Sequence, residues 1–535
     1  SLLLENHRSQ NNPKRKMPSI ARRELFSSRF MSLAEEMSAQ LQRTALSTNV
    51  RERLDFSCAL LDRDGYLVAN APNIPVHLGA MGVFTRSMLG EFPKITKGDV
   101  LLSNHPAFGG SHLPDVSLLA PIFGQEDSPV GFLANRAHHA EIGGITPGSM
   151  PAGSTSLIEE GVVLPPQYLF EEGISNLDKV ACALGTAKYP SRQIDENLAD
   201  LSAQVASLRH GIDAMEKLLM RYGDDEISGQ MNALREESRT NCRKFLDQMG
   251  NIDLFGEHFL DDGEIICLKV KIKDRSALFD FSGSSLSRKD NLNATEAIVH
   301  SSVCYCLRVL IGSDLPLNEG LLDPVLIKIP VGSLLNPVFE RDPKHCPGVA
   351  GGNVEISQRL VDLILTSVFG EVAMSQGTMN NVTFGNENFS HYETLCGGSG
   401  AVIGKQGTSA VQTHMTNTAI TDPEILEVRF PLRLLSFRSR MGTGGRGTWK
   451  GGDGIEREYL FLEKTNLSLL TQSRVVSPIG ILGGEGGECG EQILIRKDGS
   501  VCKLGSLERT IANPGDRLLI RTPGGGGAGE PGVIA

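Results

Sequence analysis

From Ile20 to Ser47 apolar side chains return at helical spacing, with Leu25, Met31, Leu33, Met37 and Leu41 on one side, and a long helix is expected there. The period then changes. Asp55-Phe56-Ser57-Cys58-Ala59-Leu60-Leu61 reads as a strand, Asp62-Arg63-Asp64-Gly65 as a turn, and Tyr66-Leu67-Val68-Ala69 as the returning strand of a hairpin. Between residues 98 and 145, short apolar runs such as Val116–Ile122 and Val130–Asn135 alternate with loops rich in Gly, Pro and His, which predicts buried strands carrying polar loops. The clearest helix covers 191–221, where Leu198, Leu201, Val205, Leu208, Ile212, Met215 and Leu219 make one stripe and Gly223 stands just past the end. A second helix is expected over 225–249, so the pair forms a helical hairpin or layer. Beyond residue 260, Leu268-Lys269-Val270-Lys271-Ile272-Lys273 alternates as a half-exposed strand does, and Leu278-Phe279-Asp280-Phe281 follows it. After residue 430 short strands are expected at Glu456–Leu462, Leu467–Leu470, Gln492–Ile495 and Arg517–Ile520, between Gly-rich turns. The predicted fold class is mixed α/β (α+β) and multi-domain. A tail or linker covers 1–18, an α/β region with a helical layer covers 19–260, and a β-rich region with Gly-rich loops covers 261–535.

Composition narrows the classes. A length of 535 residues is ample for two to four domains. The net charge of −11 argues against a nucleic-acid partner, and the run Pro13-Lys14-Arg15-Lys16 is too short to reverse that. No stretch of 18 apolar residues is present, so no membrane span is expected, and the first residues lack the apolar core of a secretory leader. The ten cysteines are scattered without a Cys-x-x-Cys pair, and Cys304 and Cys306 read as small apolar packing groups. A reducing, cytoplasmic setting is the expectation. Glycine is in excess, at 59 residues, and clustered. No cluster ends as a phosphate-binding P-loop does: Gly404-Lys405 is followed by Gln406, and Gly442-Thr443-Gly444-Gly445-Arg446-Gly447 lacks Lys-Ser/Thr. These segments are read as tight turns.

Two segments carry candidate chemistry. In Gly109-Gly110-Ser111-His112-Leu113-Pro114-Asp115, Pro114 excludes a helix interior, so His112 and Asp115 sit at a turn or strand end where they can converge. In Asn135-Arg136-Ala137-His138-His139-Ala140-Glu141-Ile142-Gly143-Gly144, an apolar run ends in a Gly-rich loop. Imidazole with carboxylate is a ligand set for Zn, Mn or Fe. Only one of His138 and His139 faces a given point from a strand, leaving the other to support a ligand or move a proton. The same residues could instead brace a loop by hydrogen bonding, and the residue types alone weigh the two readings evenly. Asp55 and Asp280 share an Asp-Phe-Ser pattern at strand positions; His77, His105 and His414 are weaker candidates, and His7 and His210 are assigned to solvent.

Longer stretches carry a resemblance. Ser103-Asn104-His105-Pro106, Gly109–Asp115 and His138-His139-Ala140-Glu141-Ile142-Gly143-Gly144-Ile145-Thr146-Pro147-Gly148-Ser149-Met150-Pro151 resemble the hydantoinase B/oxoprolinase family. So do Asn291-Leu292-Asn293-Ala294, Pro316-Leu317-Asn318-Glu319-Gly320, Gly351-Gly352-Asn353-Val354, Ser375–Asn381, Thr413–Thr418, Thr421–Glu427 and Thr522-Pro523-Gly524-Gly525-Gly526-Gly527. The detail, Asn104-His105 in particular, is nearest to the C-terminal half of ATP-dependent 5-oxoprolinases. The resemblance implies a division of labour. An A-type (hydantoinase A-like) subunit or fused domain uses ATP to phosphorylate a cyclic amide, and the B-type part hydrolyses the phosphorylated intermediate at a divalent-metal site. It implies His112, Asp115 and His138 as metal ligands, with Asp55 as the fourth. Adjacency then suggests His139 or Glu141 as proton relays and Arg136 as a phosphate holder. The favoured substrate is 5-oxoproline, with hydantoin or N-methylhydantoin next. The alternatives are the B-type subunit of an acetone- or acetophenone-type carboxylase, and a non-catalytic scaffold of such a complex. A hetero-oligomer, or a homodimer of the complex, is expected. Opening on Ser1 rather than Met, and with a basic linker, the chain reads as a piece cut from or following an A-type half.

Overall fold

The computed structural model describes residues 19–312 and 317–532; the expected tail over 1–18, with its basic run and His7, lies outside the described residues. The N-terminal half is organised by a seven-stranded sheet. Its order is Leu67–Asn70, Phe56–Asp62, Pro129–His138, Asp115–Phe123, Val100–Ser103, Gln167–Glu171 and Ile174–Ser175, each antiparallel to its neighbour. The expected hairpin is present as Phe56–Asp62 with Leu67–Asn70, and both buried strands expected near residues 116 and 130 are there.

Helices cover both faces of this sheet. On one face Cys58, Leu60, Val116, Leu118 and Leu133 meet Phe30, Met37, Leu201 and Leu208 from helices Ser19–Thr44 and Ile194–Tyr222. On the other, Ala59, Leu61, Leu119, Phe132 and Ala134 meet Met81, Phe84 and Met88 of helix Leu78–Glu91. Strands buried on two faces lose polar alternation and read as continuous apolar runs. The expected second helix is Asp224–Met249, joined to Ile194–Tyr222 at Gly223, whose φ of 82° reverses the chain.

A four-stranded sheet follows, ordered Val325–Lys328, Ser276–Asp280, Ile265–Lys273 and Ile252–Phe259. In Ile265–Lys273 the alternation is as expected: Leu268, Val270 and Ile272 are buried, while Lys269, Lys271 and Lys273 are exposed. Leu254 pairs with Val270, so the sheet joins strands from either side of residue 260. Its buried face packs on helix Glu296–Ile311 and on a helical run from Gly352 to Val368, neither of which the hydropathy pattern announced. That run has π-helical turns, Gly352–Ile356 and Leu363–Val368, on either side of the α-helical Ser357–Asp362.

The C-terminal part is β-rich as expected. A sheet ordered Ser390–Thr394, Asn381–Gly385, Thr465–Leu470 and Leu507–Ala512 packs against a five-stranded one through Phe384, Leu467, Leu469, Tyr459, Phe461, Leu518 and Ile520. The Gly-rich segments around it correct the tight-turn expectation. Gly442 and Gly404 do turn, with φ near 87°, but most of the others bring extended backbones side by side. The Gly525 N–H donates to Gly452 O at 2.9 Å, its carbonyl accepts from Gly445 N–H at 2.8 Å, and a Cβ on Gly525 would stand 2.0 Å from Ser399 O. Glycine is needed here for close approach, which a residue with any side chain would prevent. Among the described residues no helix is long and apolar enough to cross a membrane.

Candidate metal centre

The sheet's period of two places the chemistry. Odd-numbered residues of Phe56–Asp62 face helix Leu78–Glu91, so Ser57, and Asp55 just before the strand, fall on that side. On Pro129–His138 the even positions face the same way, and the register pairs His138 with Asp115 at the opening of the neighbouring strand. His112 reaches the same point from the loop whose end is set by Pro114. His112 Nε2 lies 3.1 Å from His138 Nδ1, His138 Nδ1 lies 3.3 Å from Asp115 Oδ1, and His112 Nδ1 lies 3.4 Å from Asp115 Oδ2. All three side chains are buried, and their ligand atoms lie within 4.8 Å of one another. Asp55 stands at the edge, its Oδ2 3.8 Å from His138 Nδ1, while its carbonyl accepts the His138 N–H at 3.0 Å.

The arrangement fits a cation better than it fits itself. Donors about 2.1 Å from a tetrahedral ion stand about 3.4 Å apart, and one ligand atom from each of the three residues already lies within 4.8 Å of the others. His112 Nδ1, Asp115 Oδ1 and His138 Nε2 are buried without hydrogen-bond partners, which is costly in a site that holds only protein. Burial pushes His112 down to about 3, helped by the nearby His138, His77 and Arg136 and opposed by Asp115, so its imidazole stays neutral, the form that ligates. Burial works against ionisation of Asp115, but His112 and His77 beside it, the hydrogen bond from His77 and the close approach of His138 hold it well below the usual carboxylate range.

Distant segments complete the surroundings. His77, a weaker candidate in the sequence, donates from Nε2 to Asp115 Oδ2 at 3.1 Å and meets Ser57 Oγ at 3.0 Å through Nδ1; Ser111 Oγ donates to the same Asp115 oxygen at 2.5 Å. Tyr392 was not anticipated. Its ring stacks on His138 with centroids 4.7 Å apart and planes 8° apart, and the Arg53 guanidinium sits 4.9 Å from that ring's centre. No local signal marks Tyr392, which lies more than 250 residues from the histidine it covers.

Other expected residues go elsewhere. His139 falls on the opposite face, where Nε2 bonds Gln204 Oε1 and Nδ1 bonds Asn197 Nδ2, each at 3.1 Å, so helix Ile194–Tyr222 holds both ring nitrogens. Glu141 closes its own loop, accepting from Gly143 N–H, Gly148 N–H and Arg192 Nη1 at 2.6, 2.8 and 3.0 Å. Burial raises its pKa against the pull of Arg192. Arg136 shares the centre's face but is fully buried, with Nε donating to Ser117 Oγ and Nη2 to Gly109 O. His105 Nδ1 accepts the Ala107 N–H, Asp280 pairs with Lys328, His414 bonds Ser375 and Tyr305, and exposed His210 lies near Glu36. None of these four meets the centre.

Residues 20–531 match the model of the family described as hydantoinase B/oxoprolinase. The chain belongs to the hydantoinase B/oxoprolinase family. Among hydantoinase B/oxoprolinase relatives, 5-oxoprolinase 1 of Arabidopsis thaliana is 44% identical over 531 residues, which cover 95% of this chain and 41% of that protein. The chain thus spans about two fifths of that relative's length. The fold is shared with the ATP-dependent caprolactamase from Pseudomonas jessenii, at a TM-score of 0.87 and 24% identity, covering 96% of this chain and 91% of that one. It is shared also with acetone carboxylase in its nucleotide-free structure, at a TM-score of 0.82 and 17% identity, covering 96% of this chain and 76% of that one.

Proposed function

We propose that this chain is the B-type component of an ATP-dependent amidohydrolase, which hydrolyses a phosphorylated cyclic amide at a centre formed by His112, Asp115 and His138, with Asp55 as the fourth ligand. The convergence of three buried ligand side chains with unpartnered atoms carries the reading. 5-Oxoproline is the favoured substrate, because a relative 44% identical over 95% of this chain bears the name 5-oxoprolinase. An A-type part spends ATP to place a phosphoryl group on the amide oxygen, which fits the lack of a phosphate-loop motif in this sequence. Water then adds across the activated C=N bond, the ring C–N bond breaks as its nitrogen takes a proton, leaving an acyl phosphate, and a second water displaces phosphate to give the open amino acid.

A divalent ion held in the centre supplies Lewis acidity and lowers the pKa of water toward neutrality. The protein's own groups prepare that chemistry. His112 offers a neutral imidazole and Asp115 a carboxylate, His77 and Ser111 fix the Asp115 carboxyl, and Tyr392 covers His138. Burial keeps bulk water out. Of the three residues assigned by adjacency, His139 and Glu141 act in this reading as braces for the ligand-bearing strand end and loop. Arg136 retains one unpartnered nitrogen, Nη1, beneath the centre. Incubating the chain with an A-type partner, ATP and divalent metal tests the reading. Glutamate is expected from 5-oxoproline. Carboxylation of a ketone with bicarbonate instead would move the chain to the carboxylase branch, and neither activity with a loaded centre would leave the scaffold.

A further inference from the structure

The Tyr392 ring that lies on His138 is itself held from behind. Its hydroxyl donates to Asn381 Oδ1 at 2.8 Å, across adjacent strands where Thr383 is paired with Tyr392. Asn381 has a single possible orientation. Its Nδ2 donates to Leu470 O at 2.6 Å, and a backbone carbonyl can only accept, so Oδ1 must face Tyr392. The second Nδ2 hydrogen goes to Glu355 Oε1 at 2.8 Å, which also accepts the Met379 N–H at 3.1 Å. Glu355, Asn381 and Tyr392 are all buried. Glu355 lies in the π-helical turn Gly352–Ile356, and such turns recur at functional sites. Its Oε2 has no hydrogen-bond partner. Arg53 closes the other side, donating to Tyr392 O at 2.8 Å with its guanidinium against the ring.

We propose that Glu355 and Asn381 are positioning residues for the metal centre: through the Tyr392 hydroxyl they hold its ring flat on His138 and so fix the plane of that imidazole. This rests on the reading of His138 as a ligand. A ligand histidine whose plane is set in advance spends less entropy when the ion arrives, and orienting groups beyond the ligands usually matter tenfold or more to affinity. The Glu355 carboxyl needs no charge for this role, since its Oε1 accepts the Asn381 N–H whether or not a proton is bound. Burial pushes it up to about 8, against the pull of Thr378, the Met379 N–H, Arg359 and Arg474, which favours the neutral form.

The test uses the full chain and cobalt(II) alone as the probe, with affinity from equilibrium dialysis, visible ligand-field bands at saturation, and circular dichroism to confirm folding. Glu355→Leu and Tyr392→Leu are expected to weaken cobalt binding by roughly 10–100-fold and to shift the saturated spectrum. Glu355→Gln, whose amide oxygen still accepts from Asn381, is expected to keep both, and Tyr392→Phe, which keeps the ring but not its anchor, to fall between. A folded Glu355→Leu chain with wild-type affinity and spectrum overturns the proposal. Where that variant does not fold, a wild-type spectrum and affinity in Tyr392→Phe does so. Wild-type protein that takes up no cobalt defeats the metal-centre reading itself, a result separable from unaltered variants of a chain that binds.

Discussion

Asp115 concentrates the physics of the centre in one side chain. One of its oxygens meets Ser111, His77 and His112, while the other has no hydrogen-bond partner and lies 3.3 Å from His138. The contact with His77 holds a ligand carboxyl in place, so His77→Ala is expected to lower metal affinity about 10–100-fold while leaving the far-ultraviolet circular dichroism unchanged. Unaltered affinity in that variant would show that Asp115 needs no such brace. The convergence of His112 and Asp115 with one of two adjacent histidines was legible in the sequence, because Pro114 excludes a helix interior there and strand alternation lets only one of the pair face a given point, while their role as ligands came from the resemblance alone. Which histidine faces the centre was not legible: the resemblance pointed to His138, and the burial of His139 against Gln204 and Asn197 gives the physical reason. Residues from other segments were harder. Nothing in the local sequence ties His77 or Tyr392 to the centre, since contacts of such separation are set by sheet register and helix packing.

At the scale of elements, strands announced themselves whether half-exposed or buried, as at residues 116–122 and 130–135, whereas a helix covered on both sides did not. Ile265–Lys273 shows a lysine at every second position, whereas helix Leu78–Glu91 lies between the seven-stranded sheet and helix Glu296–Ile311 and so lacks a polar stripe. Its Gly79 is there for closeness, because a Cβ would stand 2.8 Å from the Ser301 backbone. The Gly-rich segments follow the same logic. A Gly525→Ala change places a methyl 2.0 Å from Ser399 O among packed backbones and is expected to cost about 3 kcal/mol or more in urea unfolding. Gly229 offers the contrast: it lies within helix Asp224–Met249 with nothing within 4 Å of its absent Cβ, so Gly229→Ala is expected to stabilise by roughly 0.5–1 kcal/mol. Loss of stability in both would mean that the backbone at Gly229 is not free, and loss in neither that the Gly525 segment can spread.

The whole molecule is tied together by buried polar groups more than its sequence texture suggests. The sequence changes texture near residue 260, yet the pairing of Ile252–Phe259 with Ile265–Lys273 carries a sheet across that point, and Glu160 bonds the N-terminal half to Val349 N–H and Ala350 N–H at 3.0 and 3.1 Å. Burial raises Glu160 to about 7, against those two N–H groups and Ser154 and Asn291. The folded protein therefore keeps a proton that the unfolded chain releases near 4.5, so Glu160 contributes most below that pH and loses its contribution as pH rises through about 7. Relative to a Glu160→Gln variant, wild-type stability is expected to fall by up to roughly 3 kcal/mol between pH 4.5 and 8, read from urea midpoints. Parallel midpoints for the two proteins across that range would show that Glu160 titrates alike in the folded and unfolded chain. The central claim is that His112, Asp115 and His138 hold a divalent ion that arms the chain for its chemistry. Elemental analysis of the full chain after dialysis against excess zinc, manganese or iron, beside a folded His112→Ala variant, tests it most directly. Stoichiometric metal in the wild type, lost in the variant, is the expected result; a wild-type chain without bound metal, or one whose metal survives the loss of His112, contradicts it.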